Sequence, residues 1–366
     1  MTNRRTFMAT LAAAAALPRI GWASAGSPVF LAAAMTGTAV DQAADPAARD
    51  YALFGLDEQG AEIFRIALPA RGHAAAAHPS RPEAVGFARR PGTFAVVIDC
   101  RDGAVKHRLT PPDGLQFNGH GCFSADGALL YTSEVVAEGS AGRIGLWDAA
   151  NGYRRIGTWE SGGIGPHEIR RLPGSDDLVV ANGGIRTDPN DRTKLNLDTM
   201  QPALSWINAR GKIEARTELP AELNQASIRH LAIAPDGLVA FAMQWEGDPA
   251  RIVPLLGLAR RGRAPVLAEA PDTDLVAMKG YAGSIALDPA RGEVGITSPH
   301  GGALMVHDLE GRLRRMYRRP DVSGIALGPD GFVATDGNGA VMKATGARLE
   351  LLNRSEVAWD NHLIAV

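Results

Sequence analysis

The chain has 366 residues, 45% hydrophobic and 21% charged, with 42 glycines and 23 prolines. That is enough apolar material for a large core, and it excludes a disordered or collagen-like chain. A formal net charge of -2 offers no basic excess of the kind a nucleic-acid partner requires.

The first residues read as an export signal. Asn3-Arg4-Arg5-Thr6-Phe7-Met8 carries a twin-arginine signature, Ala9 to Leu17 forms a short Ala-rich apolar stretch, and Ala23-Ser24-Ala25 resembles a cleavage site. The stretch is too short for a bilayer core of about 30 Å. Residues 1–25 are therefore expected to be removed, leaving a periplasmic protein with no membrane span and a single domain over 26–366. Removal takes away three arginines and no acids, which moves the net charge from -2 to -5.

Beyond the signal no long stretch has helical periodicity. Short runs of alternating, β-branched or aromatic residues dominate, separated by Gly, Pro, Asp and Asn. Residues 28–68 hold three of them: Val29 to Ala34, Tyr51 to Gly55 and Glu62 to Ala67.

A phrase then recurs: a polar residue, usually histidine, followed by alternating apolar residues and a Pro-Asp-Gly-like turn. It reads His73-Ala-Ala-Ala-Ala-His78-Pro, His120-Gly-Cys-Phe-Ser-Ala-Asp-Gly, His167-Glu-Ile-Arg-Arg-Leu-Pro-Gly and His230-Leu-Ala-Ile-Ala-Pro-Asp-Gly. Ser284 and Gly324 replace the histidine in two further copies, and His362-Leu-Ile-Ala-Val ends the chain. Successive copies lie 47, 47, 63, 54, 40 and 38 residues apart. Each interval holds a second strand, a third that often ends in Asp (Asp99, Asp148, Asp308) and a more polar fourth. Four antiparallel strands per repeat of this length describe a β-propeller blade.

Seven phrases predict an all-β, seven-bladed propeller. The phrase at the C-terminus supplies the inner strand that the N-terminal blade lacks, so the ring closes between the termini. A monomer is expected.

In this geometry the residue opening each phrase stands at the rim of the central channel. His73, His120, His167, His230 and His362 occupy five of seven equivalent positions. Imidazoles converging on an axis suit iron, copper or zinc. Glu134, Glu168, Asn182 and Trp245, at or near the ends of neighbouring strands, are candidates to orient them, and the insertion at 183–203 would overhang them. Propeller inner strands also use such histidines to brace adjacent blades, and both readings stand at this point. His78, His107 and His307 fall off the ring, and His300 lies in a loop; these are read as structural or solvated.

Asp188-Pro-Asn-Asp191 lacks the spacing of a calcium loop. Nucleophile-elbow, haem-attachment, phosphate-loop and dinucleotide motifs are absent from the sequence. The basic run Arg312 to Arg319 is read as an outer strand whose charges discourage edge pairing. Cys100 and Cys122 leave one disulfide open.

Several phrases together resemble a known family. They are Arg90-Pro-Gly-Thr-Phe-Ala95, Gly119-His-Gly-Cys-Phe-Ser124, Gly165-Pro-His-Glu-Ile169, Ala181-Asn-Gly-Gly-Ile185, Leu197-Asp-Thr-Met-Gln-Pro202 and the Arg-Arg-Thr-Phe start. They are similar to the exported bacterial proteins classed as domain of unknown function 1513, a family without an established activity. Its genes tend to lie beside imelysin-like iron-regulated proteins and a dihaem peroxidase-like protein. The resemblance thus implies a role in iron or other metal uptake, with imelysin-like periplasmic partners. The fold is also similar to that of surface-layer-type propellers, lactonases and the propeller of nitrous oxide reductase, which holds copper on a histidine ring.

Three functions are therefore expected to compete: a binding or accessory protein for metal, most simply iron; an enzyme at the same mouth, either lactonase-like hydrolase or metal-dependent oxidoreductase; and a protein-docking scaffold.

Overall fold

The structure, a computed structural model, describes residues 20–36, 50–90, 92–191 and 193–366. The twin-arginine signature and the apolar stretch after it lie outside these residues.

Among the described residues 28 strands form seven four-stranded antiparallel sheets. The inner strands are Gly72–Ala77 (blade 1), Leu115–Phe123 (blade 2), Pro166–Arg171 (blade 3), Ala226–Ile233 (blade 4), Ser284–Asp288 (blade 5), Val322–Gly328 (blade 6) and Val357–Ala365 (blade 7). Each touches the inner strand of the next blade, and the last returns to the first. This is the expected seven-bladed propeller. The C-terminal strand pairs with Phe30–Thr36, from Phe30 opposite Ala365 to Thr36 opposite Val357, and so completes the blade built by Asp50–Leu56 and Glu62–Leu68. Closure thus supplies the N-terminal blade's fourth, inner strand from the C-terminus.

Turn chemistry sets the strand lengths. Gly127 and Gly237 take φ of +75° and +82° after Asp126 and Asp236, whose carboxylates accept the N–H groups of Ala128 and Leu238. The Asp that ends a third strand does the same for the hairpin to the fourth: Asp308 accepts from Glu310 and Arg312, and Asp57 from Gln59 and Ala61. A short acceptor that reaches its own backbone two to four residues on is the reason Asp recurs there.

The core lies between the sheets rather than under any one of them. Trp206, Phe241, Phe87 and Phe54 are fully buried at blade interfaces, each contributing on the order of 2–3 kcal/mol by burial. Trp22, in the 3-10 turn Ile20–Ala25, joins this core. It packs with Leu31, Leu53, Ile66 and Ile98, and its indole N–H donates to the His78 carbonyl at 3.0 Å. His78 is a structural knot: its Nδ1 accepts from Ser80 and Arg81, so its Nε2 donates to the Gly127 carbonyl at 3.1 Å. Cys100 and Cys122 are unpaired, and burial pushes both thiols up to about 12. The basic run is the outer strand of blade 5, Leu313–Arg318. No helix among the described residues is long and apolar enough to cross a membrane.

Candidate functional site

The five phrase histidines meet on the axis. Ring centroids of His73 lie 4.8, 5.5 and 4.7 Å from those of His120, His167 and His362. His230 is 4.7 Å from His167 and 4.6 Å from His362, and His120 lies 5.0 Å from His362. Two triads share His120: His73, His120 and His362, and His120, His167 and His230. Within each, one nitrogen per ring lies within 4.8 Å of the others, close enough to hold a metal ion.

Their depth departs from expectation. The inner strands of blades 2, 4 and 7 begin well before the histidine, so the imidazoles stand inside the channel rather than at its rim. His120, His167, His230 and His362 are buried and His73 is half-buried.

Local backbone irregularity aims them. Pairing of the inner with the second strand slips between Gly72 and Ala75, Phe117 and Gly121, Pro166 and Ile169, and Ile228 and His230. The closing strand slips between Trp359 and Leu363. Each histidine therefore sits at a bulge, a device that re-aims a side chain out of the sheet's alternation. In blade 5, where Ser284 replaces the histidine, the register is unbroken. Two glycines make room. Gly119 has φ of +91°, and a Cβ there would stand 2.5 Å from His73 Cδ2; a Cβ on Gly324 would stand 2.9 Å from the Leu363 nitrogen in the closing strand.

Electrostatically the cluster is a set of neutral donors. Burial, followed by the other histidines, holds His73, His167 and His362 well below the ordinary imidazole range. Burial lowers His120 to about 3 and also lowers His230. A buried ring nitrogen on His73, His120, His167 and His362 makes no hydrogen bond. That observation counts against blade bracing, which would spend these atoms on neighbouring backbone.

The accompanying residues divide. Glu168 joins the cluster: its Oε2 lies 3.4 Å from His230 Nδ1, off the line of a hydrogen bond, and accepts the Leu231 N–H at 3.0 Å. Burial would raise this carboxyl, but Arg170 and the histidines hold it well below its usual range. Glu134 instead turns into blade 2, taking two bonds from Arg155 at 2.7 and 2.8 Å and one from Thr132. Asn182 ties Ser161 to Ser205 across blades 2 and 3. Trp245 stands at the mouth, its indole N–H on the Asp248 carbonyl and Arg251 over its ring.

Above the histidines opens a cavity of ≈ 400 Å³. The 183–203 insertion forms part of its wall through Ile185, Thr187 and Lys194, and is pinned on both sides. Ser140 and Gln116 of blade 2 bond Thr187 and Pro189, and Gln225 at the start of blade 4 bonds Leu197. His300 is exposed in a loop, as expected, and also borders this cavity, its ring 4.0 Å from that of Tyr281. Arg89, Arg90, Arg229 and Lys279 line it too. Nothing in their spacing along the chain marks a common face, so only the fold brings them together.

Two solved structures show the same architecture. A chain of Kuenenia stuttgartiensis hydrazine synthase aligns with a TM-score of 0.58 at 15% identity, covering 78% of this chain and 86% of that one. A chain of U3-55K aligns with a TM-score of 0.55 at 13% identity, covering 78% and 83%. At these identities the likeness is one of fold. No curated protein matches the sequence significantly. Residues 66–366, from the N-terminal blade's outer strand to the closing strand, match the family described as "Protein of unknown function (DUF1513)", and the chain belongs to that family.

Proposed function

We propose that the protein is a periplasmic metal-handling protein whose channel histidines hold one first-row transition-metal ion. The supporting observation is the convergence of five neutral imidazoles with buried, unpartnered nitrogens. Unsatisfied buried donors and acceptors are costly, and a metal ion held by either triad around His120 would relieve that cost for the rings that ligate it. Neutral imidazole with one nearby carboxylate favours iron, copper or zinc over calcium or magnesium, which take all-oxygen shells. His73, His120, His167, His230 and His362 are the ligand candidates, with Glu168 orienting His230. Iron is the reading that family resemblance implies, and export by the twin-arginine route and imelysin-like partners belong to the same proposal.

The test is elemental analysis of protein purified from the periplasm of a native-type host. About one equivalent of transition metal is expected in the wild type and none in the combined His120→Ala, His167→Ala, His230→Ala variant. Metal-free wild type that takes up no iron, copper or zinc on dialysis would overturn the reading.

A further inference from the structure

The cavity above the histidines is strongly cationic. Among the described residues, Arg89, Arg90, Lys194, Arg229 and Lys279 line it with one carboxylate, Glu246. The chain as a whole has a net charge of -2, so this excess is local. Glu246 pairs with Lys194 and lies 3.7 Å from Arg229, so the formal charges of the described lining residues sum to a positive value. Two carboxylates just outside are matched by other cations, Glu168 by Arg170 at 2.5 Å and Asp360 by Arg71 at 2.7 Å.

Such a vestibule is the wrong entrance for a bare divalent cation. A positive potential over a narrow mouth lowers the local concentration of cations and raises that of anions. The donor set points the same way: guanidinium and ammonium groups carry hydrogen-bond donors and no acceptors, and planar guanidinium suits carboxylate. The volume of ≈ 400 Å³ lies toward the small end of small-molecule sites and holds a multidentate ligand with room to spare.

Resting on the metal reading above, we infer that the metal is bound as a ternary complex with a small polycarboxylate, the histidines taking the metal and the cationic vestibule taking its anionic chelator. The site thereby recognises a chelated ion and selects against the bare aquo-cation. No bond of the chelator breaks: carboxylate oxygens stay on the metal, and imidazole nitrogens replace water or a fraction of those oxygens.

Cobalt(II) is a suitable probe because its visible bands report the ligand set. Cobalt-loaded wild type would be titrated with citrate and, separately, with inorganic phosphate, and the cobalt retained through gel filtration would be measured. Citrate is expected to shift the bands while cobalt stays on the protein, and phosphate to give no more than a weak change. In Arg89→Gln/Arg90→Gln the citrate midpoint should rise at least tenfold, with cobalt affinity in the absence of citrate equal or tighter. The exposed-site variant Lys279→Gln should shift the midpoint in the same direction by a smaller factor, which guards against misfolding of the double variant. Cobalt binding with no citrate response, removal of cobalt by citrate, a response matched by phosphate, or a midpoint unchanged in these variants would overturn the inference and leave the metal site standing. A wild type that binds no cobalt would remove the metal reading itself.

Discussion

Glu168 is the neighbour of His167 in the chain, yet its carboxylate serves His230 on the next blade, 3.4 Å from its Nδ1, while accepting the Leu231 N–H at 3.0 Å. Bulges in both strands bring this about, because each lets its residue depart from the alternation of its own sheet. A carboxylate beside a ligating histidine fixes the ring and raises its basicity. Glu168→Gln is expected to weaken metal binding by roughly 10–100-fold, read by competition with a chromophoric chelator.

Gly119 is a tight point in the frame of the cluster. Its φ of +91° and the 2.5 Å approach of His73 to a built Cβ exclude a side chain. Gly119→Ala should cost about 1–3 kcal/mol in urea unfolding, and by displacing His73 and His120 it should lower metal affinity about tenfold or more.

Glu134 offers the opposite case. Both its oxygens are taken by Arg155, whose guanidinium also lies over Trp147. Glu134→Ala leaves a largely buried arginine without its partner, and a loss of about 3–5 kcal/mol in stability is expected. Metal stoichiometry in the surviving folded fraction should equal that of the wild type, which separates it from Glu168.

Trp22 lies between the N-terminal blade and blade 1, 1% exposed. Trp22→Ala should destabilise by about 3–5 kcal/mol. A chain beginning at Gly26, as cleavage at the Ala23-Ser24-Ala25 sequence would leave it, should melt lower than one beginning at Ile20 by a comparable free energy, measurable by calorimetry on the two purified forms.

His307, in the third strand of blade 5, gives a pH dependence independent of the cluster. Burial pushes it down to about 4, while the unfolded imidazole titrates near 6.5. Below pH 6.5 the unfolded chain binds a proton that the folded one refuses, so stability falls as pH drops, levelling only below pH 4. The full effect is roughly 3 kcal/mol. His307→Gln should flatten the stability profile of metal-free protein between pH 6.5 and 4 by up to one proton.

Much of the architecture could be read from residue order because it depends on short-range chemistry. Alternation marks strands, Asp-Gly and Asx turns mark their ends, and repetition at a near-constant interval marks blades. The truncated phrase at His362 foretold the closing strand, since a seventh inner strand had to come from somewhere. The same periodicity brought the five histidines onto one axis, because equivalent residues of equivalent blades must face a common centre.

What the sequence could not decide lies between the blades. The bulges that sink the histidines into the channel depend on strand pairing, which no local pattern records. Glu134 and Glu168 look alike in the chain, and only the packing of Arg155 against one and His230 against the other separates them. The cationic vestibule likewise gathers Arg89, Arg90, Lys194, Arg229 and Lys279 from several blades. Repetition along the chain determines the frame and the ring of imidazoles. Register, burial and the meeting of distant charges belong to the tertiary structure, because they are set by contacts between blades that are far apart in sequence.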